Sequence, residues 1–132
     1  MSGINGLKGM HHLALKVKDL KRSKAFYQEM FGMEVVWEPD DKSVYLSSGT
    51  DNLALHEFVS PTEPSPAGQH LDHLGFIIDR IETVRDLEKE FRAKEIKIVH
   101  PFKNHRDGSA SFYCADPDGV VIQLLYEPHL SR

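Results

Sequence analysis

Two histidines introduce similar apolar runs in this sequence and suggest a metal site. His12 precedes Leu-Ala-Leu-Lys-Val, and His73, 61 residues further along, precedes Leu-Gly-Phe-Ile-Ile. A single histidine on a strand is usually structural, whereas one that recurs at the same place in a repeated pattern is a stronger ligand candidate. Imidazole nitrogen binds iron, zinc, nickel, copper and cobalt. The pair therefore indicates divalent metal binding.

A second pair of positions comes from the turns that precede two later strands. Aligning Gly49-Thr-Asp-Asn52 with Asp116-Pro-Asp-Gly119 matches His56 with Gln123. If a pseudo-twofold axis relates the halves, we expect His12, His56, His73 and Gln123 to converge as three imidazoles and one amide oxygen. Glu57 is the alternative inward-facing residue if the strand register differs by one.

The remaining histidines and the single cysteine fit structural roles better. His11 alternates with His12 and should face the opposite way. His70, His100 and His129 look like loop or strand-end residues. Cys114 lies in an apolar run, where a packed thiol is expected rather than a catalytic one.

Each half of the chain predicts one strand, one helix and three further strands. The helices are predicted at Leu20–Phe31, between an Asp19 N-cap and Gly32, and at Ile81 to about Lys94. Asp79 and Glu82 have the spacing of a capping box. The later strands are predicted at Met33–Trp37, Ser43–Ser47, Leu53–Phe58, Ile96–His100, Ser109–Cys114 and Val120–Tyr126.

The repeat defines the expected domain organisation. Module 10–58 and module 71–127 are joined by linker 59–70, which is rich in Pro, Ser and Glu. Neither module should bury enough surface to fold alone, so we expect residues 1–132 to form a single α+β domain.

Composition excludes several classes of partner. The net charge is −4 without a basic stripe, which argues against nucleic acid. No segment is as long and apolar as a membrane span or a signal peptide requires. One cysteine excludes an internal disulfide and favours a reducing, cytoplasmic location.

These motifs resemble the vicinal-oxygen-chelate superfamily, which includes glyoxalases, bleomycin-resistance proteins and extradiol dioxygenases. The resemblance extends from Met10 to Glu127 and is carried by His12 through Tyr27, by Phe31-Gly32 and by Asp116-Pro-Asp-Gly119. It implies two βαβββ modules in an open, mostly antiparallel β-barrel, often paired as a homodimer. It also implies metal ligands at His12, His56, His73 and Gln123, although the family usually has Glu where this chain has Gln123.

A narrower resemblance to extradiol dioxygenases lies in the C-terminal half. His105, Phe112-Tyr113 and the Asp-Pro-Asp-Gly turn follow the order and spacing of that group, whereas Lys103 and Gln123 depart from it. The resemblance implies that His105 and Tyr113 are acid–base groups beside the bound substrate. Solvated or half-buried structural roles are the alternative for both residues.

The resemblance implies a metal-dependent enzyme acting on a small vicinal-oxygen substrate. A divalent ion, either iron, zinc, nickel or manganese, would stabilise a developing enolate or catecholate. Ring cleavage like that of extradiol dioxygenases is the leading expectation. A glyoxalase-like isomerase or lyase, and a metal-free protein that sequesters a planar ligand, are the alternatives.

Overall fold

The computed structural model describes residues 5, 10–59, 71 and 73–128. The chain divides into two compact units, Met1–Glu63 and Pro64–Arg132. The boundary falls in the predicted linker 59–70, of which residues 60–70 lie outside the described residues, as do His70 and His129.

Both units contain a helix and a four-stranded sheet in the same order along the chain. The first unit comprises β1 (His12–Val17), α1 (Leu20–Phe31), β2 (Glu34–Asp40), β3 (Ser43–Ser47) and β4 (Asn52–Glu57). The second comprises β5 (Leu74–Ile77), α2 (Ile81–Ala93), β6 (Ile98–Asn104), β7 (Ala110–Ala115) and β8 (Val121–Tyr126).

The two sheets share one topology. Their strand orders are β1-β4-β3-β2 and β5-β8-β7-β6. In each sheet the first and last strands of the unit pair in parallel, and the other two pairs are antiparallel. The matching orders confirm the predicted repeat of strand, helix and three strands.

The ends of α1 follow the predicted capping residues. The Asp19 carboxylate accepts a hydrogen bond from the Arg22 backbone N–H at 3.2 Å. Gly32 ends the helix in the left-handed conformation, with φ of 64°, which glycine adopts without a Cβ penalty.

The predicted capping box at α2 is wrong. The helix begins at Ile81, so its N-cap is Arg80, which makes no side-chain capping bond. Asp79 lies one residue too early to reach the free N–H groups of the first turn.

In each unit, one face of the sheet is buried against the helix, and the other face is not covered by that helix. Buried residues of the first sheet include Leu15, Val44 and Leu55, and α1 contacts β3 and β4. In the second unit, α2 contacts β6, β7 and β8, and the Phe91 and Phe112 rings meet edge to face at 5.6 Å. Because strand side chains alternate, the polar residues between these positions lie on the face away from the helix, here called the open face.

Two further features agree with the sequence. Cys114 is fully buried, and desolvation raises the pKa of its thiol to about 12, which fits a packed side chain. Neither helix in the described part of the chain has the length and apolar character to cross a membrane.

Candidate metal site and groove

His12 lies on the open face of the first sheet in an orientation suited to metal binding. It begins β1 and pairs with Asn52 of β4. Its Nδ1 lies 2.8 Å from the Asn52 side-chain oxygen, which can only accept a hydrogen bond. In the neutral form of the ring, Nδ1 therefore carries the proton and Nε2 keeps the lone pair that a metal ligand needs.

His56 also lies on the open face, but at the far end of the same strand pair. It pairs with Lys16, four residues along from His12, or about 13 Å at the rise of an extended strand. Its Nδ1 lies 2.8 Å from the Ser43 hydroxyl, and its ring meets Tyr45 edge to face at 5.8 Å. The structure therefore does not bring His56 next to His12.

The strand registers show that the alignment of His56 with Gln123 is wrong by two residues. Tyr45 pairs with Ala54 in the first sheet, and Tyr113 pairs with Gln123 in the second. Ala54 is thus the counterpart of Gln123. The sequence alignment failed because Asn52, assigned to the turn, belongs to β4, whereas Val120 belongs to a turn rather than to β8.

Glu57 faces the helix and not the open face. Its carboxylate accepts hydrogen bonds from the Leu20 backbone N–H and from Lys42 Nζ, each at 3.0 Å. The Leu20 hydrogen bond, followed by that of Lys42, lowers the pKa of this carboxyl. Glu57 therefore stabilises the start of α1, and the alternative in which it replaces His56 at the site does not hold.

In the second unit, His73 immediately precedes β5, and Gln123 lies on the neighbouring strand β8. Gly75 pairs with Gln123, and His73 lies two residues before Gly75. Strand spacing and rise then put the Cα atoms of His73 and Gln123 about 8 Å apart on the diagonal between the two strands. Side chains at that separation on one face can reach a common ion.

A groove of about 620 Å³ follows the open face of the second unit. It contains the three sequence-predicted residues His73, His105 and Tyr113. None of the described residues that line it is acidic. The lining is completed by Val99, His100, Pro101, Phe102, Lys103, Ser111 and Val121.

A tight turn positions His105 in the groove. The His105 backbone N–H donates to the Ser109 carbonyl at 2.8 Å, and Gly108 completes the turn with φ of 90°. His105 Nε2 then lies 3.0 Å from the Ser111 hydroxyl on β7. The serine thus orients the imidazole that the sequence had assigned an acid–base role.

Tyr113 lies between two imidazole rings. His73 meets it edge to face with ring centroids 5.3 Å apart, and His100 does so at 5.1 Å. Sequence reasoning missed His100 by treating it as a strand end. Its pairing with Tyr113 depends on irregularities in β6 on both sides of His100, and no alternation pattern in the sequence reveals these.

The donor set fits a divalent metal of intermediate hardness. His12 offers Nε2, and His73 and Gln123 offer an imidazole and an amide oxygen from adjacent strands. Within the described ranges, no three His, Cys, Asp or Glu side chains are grouped as a metal site.

The fold and these motifs define a superfamily. The model of the Glyoxalase/Bleomycin resistance protein/Dioxygenase superfamily matches residues 9–124, and the chain belongs to this superfamily. The match, together with two mixed four-stranded sheets and their helices, confirms the predicted α+β fold class of two βαβββ modules.

Individual relatives span most of the chain. The protein YaeR of Escherichia coli (strain K12) is 35% identical over 128 residues, 90% of this chain and 96% of YaeR. The glutathione transferase FosA of Serratia marcescens is 28% identical over 120 residues, 89% of this chain and 80% of FosA. The crystal structure of lactoylglutathione lyase from Agrobacterium tumefaciens matches with a TM-score of 0.77 at 24% identity, covering 97% of this chain and 100% of that chain. That structural match shows the shared fold.

Proposed function

We propose that this protein is a metal-dependent enzyme that acts on a small molecule through two neighbouring oxygen atoms. His12, His73 and Gln123 are the metal ligands of this proposal, and His56 is left out. The observation that carries it is the groove of the second unit, where His73, His105 and Tyr113 lie together beside the strand that bears Gln123.

The neutral ligands determine which metals suit the site. Two imidazoles and one amide leave the full charge of a divalent ion uncompensated. Hard cations such as magnesium and calcium prefer carboxylate oxygens, whereas iron(II), zinc and nickel accept imidazole well. Manganese(II) is the hardest of the proposed ions and should bind most weakly.

The groove residues supply the remaining chemistry. A bound divalent ion would act as a Lewis acid towards the two substrate oxygens. In this proposal the His105 imidazole, which contacts the Ser111 hydroxyl, accepts or returns a proton, and the Tyr113 phenol donates one. Lys103 adds a positive charge to a lining without described acidic groups, so an oxygen-rich, negatively polarised substrate is favoured.

Extradiol-type ring cleavage is the first candidate reaction. It is supported by the resemblance of His105 and Tyr113 to the acid–base residues of that group and by their position in one groove. The second candidate is chemistry on a thiol conjugate, because FosA is named a glutathione transferase and the structural neighbour a lactoylglutathione lyase. Ligand sequestration without metal is the third.

Metal titration of the purified, metal-free protein tests the site. We expect His12→Ala and His73→Ala to weaken binding of zinc or iron(II) by at least about tenfold. His56→Ala is the matched control, since it removes an open-face imidazole outside the proposed ligand set, and should leave affinity unchanged. Unchanged affinity in His73→Ala would refute the proposed site.

Substrate assays then separate the reactions. Ring cleavage consumes catechol and dioxygen one for one, which an oxygen electrode measures. Glyoxalase-type chemistry converts a glutathione hemithioacetal without oxygen uptake. A protein that binds planar ligands equally well with and without metal, and turns over neither substrate, would be a sequestering protein.

The homodimer is proposed from the resemblance, and the cytoplasmic location from the single cysteine. We expect a cytoplasmic homodimer, and light scattering of the purified protein measures its mass against the 15.0 kDa of one chain.

A further inference from the structure

Gly75 lies beside Gln123 in the second sheet. The two residues pair across β5 and β8. A Cβ atom added at Gly75 would lie 3.3 Å from the Gln123 carbonyl oxygen, 3.5 Å from its Cβ and 3.7 Å from its side-chain oxygen. A side chain at position 75 would therefore press on the Gln123 backbone carbonyl, and its first carbon would also touch the Gln123 side chain at ordinary contact distance.

Backbone conformation does not explain the glycine. The described glycines with positive φ are Gly32, Gly49, Gly108 and Gly119, and Gly75 is not among them. Any residue could adopt the extended conformation at this position. The requirement for glycine is one of space on the open face.

The first unit shows what the same position contains when no ligand is needed. The repeat matches His12 with His73, so Ala14, two residues after His12, is the counterpart of Gly75, two residues after His73. Ala14 pairs with Ala54, the counterpart of Gln123. In the second unit, glycine at position 75 lies opposite the long side chain of Gln123. In the first unit, alanine at position 14 lies opposite the short side chain of Ala54.

We propose that Gly75 is a positioning residue for Gln123. The absence of a side chain lets β5, the strand that His73 precedes, approach β8 closely at the Gln123 carbonyl, and so sets the position from which the Gln123 amide reaches the ion that His73 binds. This inference rests on the proposed function for the metal, although the orientation of the Gln123 side chain is independent of it.

A double-mutant cycle measured by metal titration tests the inference. Gly75→Ala should weaken zinc or cobalt(II) binding by about 10-fold or more, because the added methyl group displaces Gln123 and disturbing the support of a ligand typically costs that much affinity. In the Gln123→Ala background, the same Gly75→Ala change should have no further effect. Ile77→Val, a change on the same face of β5, is the control and should leave affinity unchanged.

The outcomes distinguish this inference from the proposed function. If His73→Ala does not weaken binding, the metal site itself is refuted. If His73→Ala and Gln123→Ala weaken binding but Gly75→Ala does not, only the positioning role is overturned. Additive effects of Gly75→Ala and Gln123→Ala would overturn it equally.

The positioning role of Gly75 can also be tested in the metal-free protein, where the result does not depend on metal binding. The side-chain amide resonances of Gln123, assigned by comparison with Gln123→Ala, should shift in Gly75→Ala and not in Ile77→Val. Unshifted resonances in Gly75→Ala would show that residue 75 does not set the orientation of the amide.

Discussion

At the scale of single residues, we expect the proposed ligand Gln123 to determine how strongly a metal is held. Replacing it by Glu adds a carboxylate, whose attraction for a divalent ion outweighs the cost of removing it from water. We expect Gln123→Glu to bind iron(II) and manganese(II) at least about tenfold more tightly, or ~1.4 kcal/mol. Titration of metal into the metal-free wild type and variant measures this. Equal affinities would mean that residue 123 is not a ligand.

Glu57 provides a residue-scale prediction about pH. Its carboxyl pKa is lowered in the folded protein by the Leu20 hydrogen bond and then by Lys42. Ionised Glu57 therefore stabilises the fold above the ordinary value of 4.5, and this contribution is lost as the pH falls through the lower folded-state pKa. Glu57→Gln should destabilise the protein at neutral pH and much less at low pH.

Urea unfolding of the wild type and Glu57→Gln, at neutral pH and near pH 3, measures that difference. Glu38→Gln is the control, because Glu38 makes only an exposed ion pair with Lys24 at 2.9 Å, which contributes little. A destabilisation by Glu57→Gln that is the same at both pH values would contradict the assignment.

The individual site residues show where sequence reasoning succeeds and where it fails. His12 and His73 lie at matching places in the repeat, as predicted, because each introduces a strand, and their role as ligands stays a prediction. His56 is misaligned because turns of similar composition differ in where their strands begin. His100 is missed because its position depends on strand irregularities that no residue type marks.

At the scale of elements, the two helices differ at their N-termini. Asp19 caps α1, whereas Arg80 at the start of α2 makes no side-chain capping bond although its backbone is extended, with φ of −137° and ψ of 144°. Arg80→Asp should therefore stabilise the protein by about 1 kcal/mol, and Asp19→Ala should destabilise it by a similar amount. Urea unfolding midpoints of both variants measure the effects. If Arg80→Asp does not stabilise the protein, the introduced carboxylate does not reach the backbone N–H groups in the first turn of α2.

Most elements were predictable because local signals and burial agree. The α1 helix and β3 match their predicted bounds because capping residues or strict alternation define both ends. The start of α2 also falls at its predicted residue, Ile81, although the Asp79–Glu82 spacing has the pattern of a capping box without its geometry. Strand β6 extends to Asn104, four residues past its predicted end at His100, since pairing with β7 overrides Pro101.

At the scale of the whole molecule, metal binding should be visible in unfolding. An ion that binds only the folded protein adds about 2.7 kcal/mol to the free energy of unfolding when its concentration is 100 times Kd. Trp37, the single tryptophan, reports on the first unit, and circular dichroism reports on both. If His12 shares the ion with His73, zinc should raise both transitions. A rise in the circular dichroism transition without one in Trp37 fluorescence would contradict His12 as a ligand.

Strand β2 has a consequence for handling the protein at high concentration. It lies at the edge of its sheet with all seven residues exposed, including the run Val35-Val36-Trp37. Such a strand can pair with a strand of another molecule and start aggregation, which edge charges and proline oppose. Here that protection comes from Glu34, Glu38, Pro39 and Asp40. Substitutions at these four positions would lower the concentration at which the protein precipitates while leaving the groove untouched, so solubility and catalysis can be engineered separately.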